Sequence, residues 1–144
     1  RNADEWLQEA LASVAAQTLD DWELLAVDDH SSDASRSVLK AAAGRDSRIL
    51  LVANPGHGIV DALNCGLQLA RAPLIARMDA DDCCQPTRLA EQQRALRDNP
   101  RLFAVGCAVE AFPGDRMNDG MRRYLGWKGS LTHTAELGRD RVVE

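Results

Sequence analysis

Apolar residues recur along this chain in two alternating rhythms, one helical and one extended, and their order predicts the architecture. Over residues 4–17, Trp6, Leu7, Ala10, Leu11, Val14 and Ala15 fall at helical spacing, with Asp4 and Glu5 placed to favour a helix N-terminus. Residues 22–27 then read as a mostly buried strand. Asp28-Asp29-His30-Ser31-Ser32-Asp33 stops it, a loop rich in residues that cap helices. A helix over 38–43 and a short strand over 48–52 follow, then the turn Asn54-Pro55-Gly56-His57-Gly58. The next helix carries Ile59, Ala62, Leu63, Leu67 and Ala70 on one side. Residues 73–78 predict a further strand. Pro86 suits the start of a helix that continues over 89–96, Asn99-Pro100 stops it, and residues 102–109 predict a last strand. After Phe112 the pattern fades, apart from a helical repeat around 131–137.

Strands alternating with helices predict a mostly parallel α/β sheet with right-handed crossovers, in which ligands gather at the carboxyl ends of the strands. Two acidic clusters fall at such ends. One is Asp28-Asp29; the other is Asp79-Ala80-Asp81-Asp82, after the run that ends in Arg77-Met78. If the extended geometry persists, Arg77, Asp79 and Asp81 share one side of the strand and Asp82 faces the other. Carboxylates two residues apart repel each other and make a poor stability device, but they suit a hard divalent cation whose remaining ligands come from substrate phosphate and water. Alone, the motif reads more readily as an acidic, solvated turn than as a metal site. A second acidic strand end on the same edge of the sheet favours the metal.

Composition narrows the classes of partner. The chain has 144 residues, enough for one domain, and 22 acidic against 17 basic side chains give it a formal charge of −5. That balance argues against a nucleic-acid surface and against broad attraction to anionic lipid. No apolar run is long enough to span a membrane, and the first residues do not form a signal peptide. Cys65, Cys83, Cys84 and Cys107 lack the paired spacing of a zinc or redox site. They read as buried, reduced thiols, which predicts a cytoplasmic protein, including one held at the inner face of a membrane.

The string Val27-Asp28-Asp29-His30-Ser31-Ser32-Asp33, followed in order by residues 54–58, by Ala62-Leu63-Asn64-Cys65-Gly66 and by Ala76-Arg77-Met78-Asp79-Ala80-Asp81-Asp82, resembles a family 2 glycosyltransferase of the GT-A fold. Arg1-Asn2-Ala3, residues 13–18 and residues 86–92 extend the likeness, which covers the chain from Arg1 to about Val109. The resemblance implies that residues 1–112 form part of a GT-A domain, a Rossmann-like sheet flanked by helices that binds a nucleoside-diphosphate sugar, and that 113–144 begin the acceptor-side region. It implies that Asp28 and Asp29 bind the base and ribose, that His57 and Gly58 approach the nucleotide, that Asp81 holds a Mn2+ or Mg2+ ion, and that Asp79 supports the metal or touches the ribose. His30 stands where such loops often carry Gly or Asn and reads as a solvated loop residue; Asn64 reads as a structural helix residue.

The implied reaction moves a sugar from a nucleoside diphosphate, UDP for choice, to a hydroxyl of a glycan or lipid-linked acceptor, with inversion, for cell-surface glycan synthesis. The cation would stabilise the charge growing on the departing diphosphate. In the family a first, mid-sheet strand would precede Arg1 and the catalytic base, on a Glu-Asp pair, would follow Glu144, so the chain is expected to be an N-terminal portion of the enzyme. Glu110, Asp115, Asp119, Glu136 and Asp140 are carboxylates outside any such motif, and none is assigned as the base. Tyr124, Trp127 and His133 belong either to the acceptor side or to a connecting helix packed on the core. Three other readings compete. A non-catalytic or truncated nucleotide- and metal-binding module fits the missing base. A receiver-type domain would need a lysine at a strand end, and a sugar nucleotidyltransferase would need a Gly-rich phosphate loop after its first strand.

Overall fold

The computed structural model describes residues 1–109, 118–120, 122, 123 and 126. The chain divides into two compact units, Arg1–Ala90 and Glu91–Glu144. Unit one carries α1 (Asp4–Ala15), β1 (Leu24–Asp28), α2 (Ser35–Ala43), β2 (Ile49–Ala53) and α3 (Gly58–Leu69); α4 (Arg88–Asp98) runs across the boundary into unit two.

The sheet described is a parallel pair. β1 and β2 align from Leu24 opposite Ile49 to Asp28 opposite Ala53. The ladder continues one step at each end, through Leu24 N–H to the Arg48 carbonyl (2.8 Å) and Asn54 N–H to the Asp28 carbonyl (3.0 Å). Parallel neighbours cannot be joined by a tight hairpin, so α2 makes the crossover, packing on both strands and on α1. Leu7 and Ala10 of α1, Leu39 of α2 and Ile49 of β2 are the buried apolar residues of this core. The prediction of a parallel α/β unit is met here, element by element, to within a few residues.

The helix starts are built from acids across the chain rather than from the residue just before each helix. Asp33 accepts the N–H of Asp4 (3.2 Å) through one oxygen and that of Ser35 (3.0 Å) through the other, while Asp4 accepts the N–H of Ala34 (3.3 Å). The first turns of α1 and α2 are thereby tied to each other. Asn2, in a left-handed backbone conformation (φ 54°), adds to the tie: its N–H donates to Ser31 Oγ (3.0 Å), and its side-chain oxygen accepts the Ser32 N–H (2.9 Å).

Four expectations need correction. Residues 73–78 form no strand: an alternating run becomes a strand only through ladder hydrogen bonds to a neighbour, and β1 and β2 are the only paired strands among the described residues. Leu74 and Ile75 are exposed accordingly. Residues 102–109 likewise form no strand, and Phe103 and Val109 lie exposed. On α3, the half-buried positions are Ala62, Cys65 and Gly66, and Gly66 sits beside Val27 of β1, so small side chains face the strand and the larger Ile59, Leu63 and Leu67 are exposed. The cysteines are free thiols but none is buried, Cys83 and Cys107 being exposed. The helical repeat around 131–137, Tyr124, Trp127, His133, Glu110, Asp115, Glu136 and Asp140 lie outside the described residues.

Candidate functional site

The carboxyl ends of β1 and β2 carry the first half of the site. Asp28 closes β1 with its side chain turned inward and almost wholly buried; one oxygen accepts the Ser31 N–H (3.2 Å), and the other lies 3.8 Å from the Arg36 guanidinium with no hydrogen bond. Asp29 is half-buried and faces the turn that follows β2. Its Oδ1 accepts the side-chain amide of Asn54 (2.7 Å) and the backbone N–H of Gly58 (3.0 Å). The Asn54 amide, aided by the Gly58 N–H and by the proximity of His30 and Arg1, holds the Asp29 carboxyl below its usual range against the cost of desolvation. Of the adjacent pair, Asp29 is the one whose carboxylate reaches the 54–58 turn.

Asn54 organises that turn. Buried to 2% exposure, it donates to Asp29, accepts the Gly56 N–H (3.2 Å) and extends the β ladder through its own N–H. An Asn that follows an apolar strand and precedes Pro-Gly is a turn former, and that signal was legible, but its role as the partner of Asp29 was not. Gly58 starts α3 at φ +85°, a conformation that explains glycine there. His57 precedes it, with its N–H donated to Asp61 (2.9 Å) and its exposed ring stacked on that of His30 at 4.4 Å and 25°. His30 (φ 54°) donates Nε2–H to the Gly56 carbonyl (2.9 Å), so this exposed residue is engaged with the 54–58 turn rather than only solvated. Asn64 lies exposed on α3.

The acidic loop carries the second half. Asp79 to Asp82 is a turn closed by the Asp82 N–H on the Asp79 carbonyl (3.2 Å), so strand alternation ends before Asp81. Asp79 and Asp81 nevertheless line one cleft of about 340 Å3, with Arg1, Asn2, Ala3, Trp6 and Ala80. Arg77 pairs with Asp79 (2.9 Å), and the Arg88 guanidinium holds the Arg77 carbonyl (3.0 Å). The two halves approach through the N-terminal segment: Arg1 and Asn2 line the cleft, Asn2 is bonded to the loop after β1, and the charge of Arg1 reaches Asp29.

A buried glutamine fixes the far side of the acidic loop. Gln17 is 5% exposed; its amide donates to the Gln85 carbonyl (2.8 Å), the Ser13 carbonyl (3.2 Å) and Cys84 Sγ (3.2 Å), and its oxygen accepts the Leu89 N–H (3.0 Å). Thr18 N–H on the Pro86 carbonyl (2.8 Å) continues the seam. Nothing in the periodicity pointed to Gln17, since its partners are 67 to 72 residues away in sequence apart from Ser13.

Chemically, the site offers oxygen donors at Asp79 and Asp81 beside an open cleft, a donor set that fits a hard divalent cation with room for phosphate oxygens. It also offers a carboxylate held by two donors at Asp29. Among the described residues no helix is long and apolar enough to cross a membrane.

Residues 1–141 match the model of glycosyl transferase family 2, and the chain belongs to that family. It is 31% identical over 110 residues to an uncharacterized glycosyltransferase of Haemophilus influenzae, a match covering 76% of this chain and 34% of that protein. It is 36% identical over 106 residues to the UDP-Glc:alpha-D-GlcNAc-diphosphoundecaprenol beta-1,3-glucosyltransferase of Escherichia coli, covering 73% of this chain and 41% of the relative. With the amylovoran biosynthesis glycosyltransferase of Erwinia amylovora it shares 37% identity over 112 residues, covering 75% and 41%. The chain thus spans roughly a third to two-fifths of the length of these relatives.

Proposed function

We propose that this chain is the donor-binding part of an enzyme that transfers a sugar from a nucleoside diphosphate, UDP by preference, to a hydroxyl of a glycan or lipid-linked acceptor, with inversion, in the synthesis of a cell-surface polysaccharide. The observation that carries this reading is the pairing of Asp79 and Asp81 on one cleft with Arg1 and Asn2, where the charge of Arg1 also acts on the anchored carboxylate of Asp29. Two relatives, the UDP-Glc:alpha-D-GlcNAc-diphosphoundecaprenol beta-1,3-glucosyltransferase of Escherichia coli and the amylovoran biosynthesis glycosyltransferase of Erwinia amylovora, support the donor class and the product class.

In this reading Asp81, with Asp79 beside it, holds a Mn2+ or Mg2+ ion. Such an ion supplies charge neutralisation on the departing diphosphate. Asp29 accepts hydrogen bonds from the base or ribose, and Asn54 and the Gly58 N–H keep it ionised and aimed. His57 and Gly58 flank the nucleotide. Arg77 pairs with Asp79, and a cation held by that carboxylate would compete with the guanidinium for the same oxygens. The inward Asp28 supports the loop that presents Asp29. Residues 1–112 serve the donor and 113–144 begin the acceptor side; the base that deprotonates the acceptor is none of the residues described.

Isothermal titration of UDP with Mn2+ tests the reading on the chain and on Asp81→Ala. Weak, Mn2+-dependent binding lost in Asp81→Ala is expected, without sugar transfer. Equal binding by both removes Asp81 from the metal site, and robust transfer by the chain alone overturns the assignment of the base elsewhere.

A further inference from the structure

Outside the acidic loop, one cluster joins side chains of a different chemical kind. Asp29, His30 and His57 each place a potential ligand atom within 4.8 Å of the others. We propose that these three residues bind a borderline divalent ion, with Zn2+ as its representative, at a site separate from the hard-cation pair Asp79 and Asp81.

The donor set selects the metal. Two imidazoles and one carboxylate suit zinc, nickel or cobalt, whereas magnesium and calcium take oxygen ligands. The surroundings prepare each ligand. With its Nε2–H donated to the Gly56 carbonyl, the His30 ring keeps a lone pair on its other nitrogen, the arrangement in which a backbone carbonyl fixes the tautomer of a metal-binding histidine. Asp29 is held by Asn54 and Gly58, a set of outer hydrogen bonds that orients the carboxylate while leaving lone pairs on Oδ2. The backbone of His57 is fixed by its N–H on Asp61.

The rings now stack at 4.4 Å and 25°, so one ion reached by both requires rotation about their side-chain torsions. Both rings are exposed, and because the Nε2–H bond to the Gly56 carbonyl holds His30, the larger rotation falls to His57. Three protein ligands leave at least one position for water, as in open zinc sites. An ion there would clamp the loop after β1 to the turn after β2. It would also occupy Asp29, so zinc and nucleotide should exclude each other; this last consequence rests on the proposed function, while the zinc site does not.

The test is calorimetric titration of Zn2+ into the reduced chain without nucleotide, on the parent and on His30→Asn, His57→Asn, His133→Asn and Asp81→Ala, with circular dichroism confirming that each is folded. One equivalent of zinc should bind the parent, each of His30→Asn and His57→Asn should weaken it at least about tenfold, and His133→Asn and Asp81→Ala should bind as the parent does. No binding by the parent, unchanged binding by His30→Asn or His57→Asn, or loss of binding in His133→Asn or Asp81→Ala overturns the site. If zinc binds as expected and UDP affinity is indifferent to it, the site stands and the role of Asp29 in nucleotide binding falls.

Discussion

The side-chain oxygen of Gln17, just past the end of α1, accepts the backbone N–H of Leu89 in the first turn of α4 at 3.0 Å, across 72 residues of sequence. Together with the amide of Gln17 on the Gln85 carbonyl, this bridge sets where the chain goes after the acidic loop. Replacing Gln17 by Ala removes the partners of the part-buried Leu89 N–H and of the Gln85 carbonyl. The expected loss is about 1–3 kcal/mol, measured by urea denaturation. Gln17→Glu restores the acceptor for Leu89 but not the donor for Gln85 and should rescue only part of it. Full stability in Gln17→Ala would mean that the seam closes without the bridge.

Two neighbouring glycines should fail differently. At Gly58 a Cβ meets nothing within 4 Å, so Gly58→Ala is penalised through its φ of +85° alone, by roughly 1–2 kcal/mol. At Gly56 a Cβ would come within 2.2 Å of the Asp61 carboxylate and 2.8 Å of its Cβ, so Gly56→Ala must push that side chain off the His57 N–H. Asp61→Ala should therefore relieve part of the Gly56→Ala penalty and none of the Gly58→Ala penalty. Thermal melts of the two double variants decide this, and equal relief in both would refute the distinction.

Asn54→Ala should cost both stability and nucleotide. The substitution leaves the Gly56 N–H and one oxygen of Asp29 without their buried partner, a loss of about 1–3 kcal/mol. It also lets the Asp29 carboxyl rise from its lowered position. UDP titration should show weaker binding than in the parent even where both are fully folded. Unchanged UDP affinity in Asn54→Ala would detach this amide from the donor site.

Acid should unfold the chain from one side only. The Arg71 guanidinium holds the Glu23 carboxyl below its usual range, Arg48 does the same for Asp46, and at Asp33 donors from Ser35 and Asp4 outweigh desolvation. Each group is more acidic folded than unfolded, so its stabilisation is present above the unfolded value and lost as pH falls through the folded one. The melting temperature should hold near neutrality and drop below about pH 4. A melting temperature that rises on acidification through that window contradicts these pairings.

The sequence made the βαβ order legible because Val27, Leu39 and Ile49 report burial locally, and burial is what periodicity measures. It made Asp29, Asp79 and Asp81 visible as candidates because strand ends carry ligand chemistry in such sheets, while His57 and Gly58 entered only through the family resemblance. It could not distinguish a run able to pair from one that does pair, so 73–78 and 102–109 were read as strands on apolar content alone. Nor could it see Gln17 or Asn54 at work, whose bonds are made to backbone far along the chain. Cysteine burial is not legible for a related reason: the residue type favours interiors on average, while Cys83 and Cys107 lie exposed outside any helix or strand.

The acids at the helix starts have one more consequence. Asp33 and Asp4 face the beginnings of α1 and α2, and Asp29 and Asp61 face the beginning of α3. The partial positive ends of three helices are thereby quenched by the protein itself. An incoming phosphate finds these doorways already held by negative tenants, so on the proposed reading the attraction for an anionic donor would come from a cation at Asp79 and Asp81 and from arginine, and binding is expected to fade with chelators and with salt.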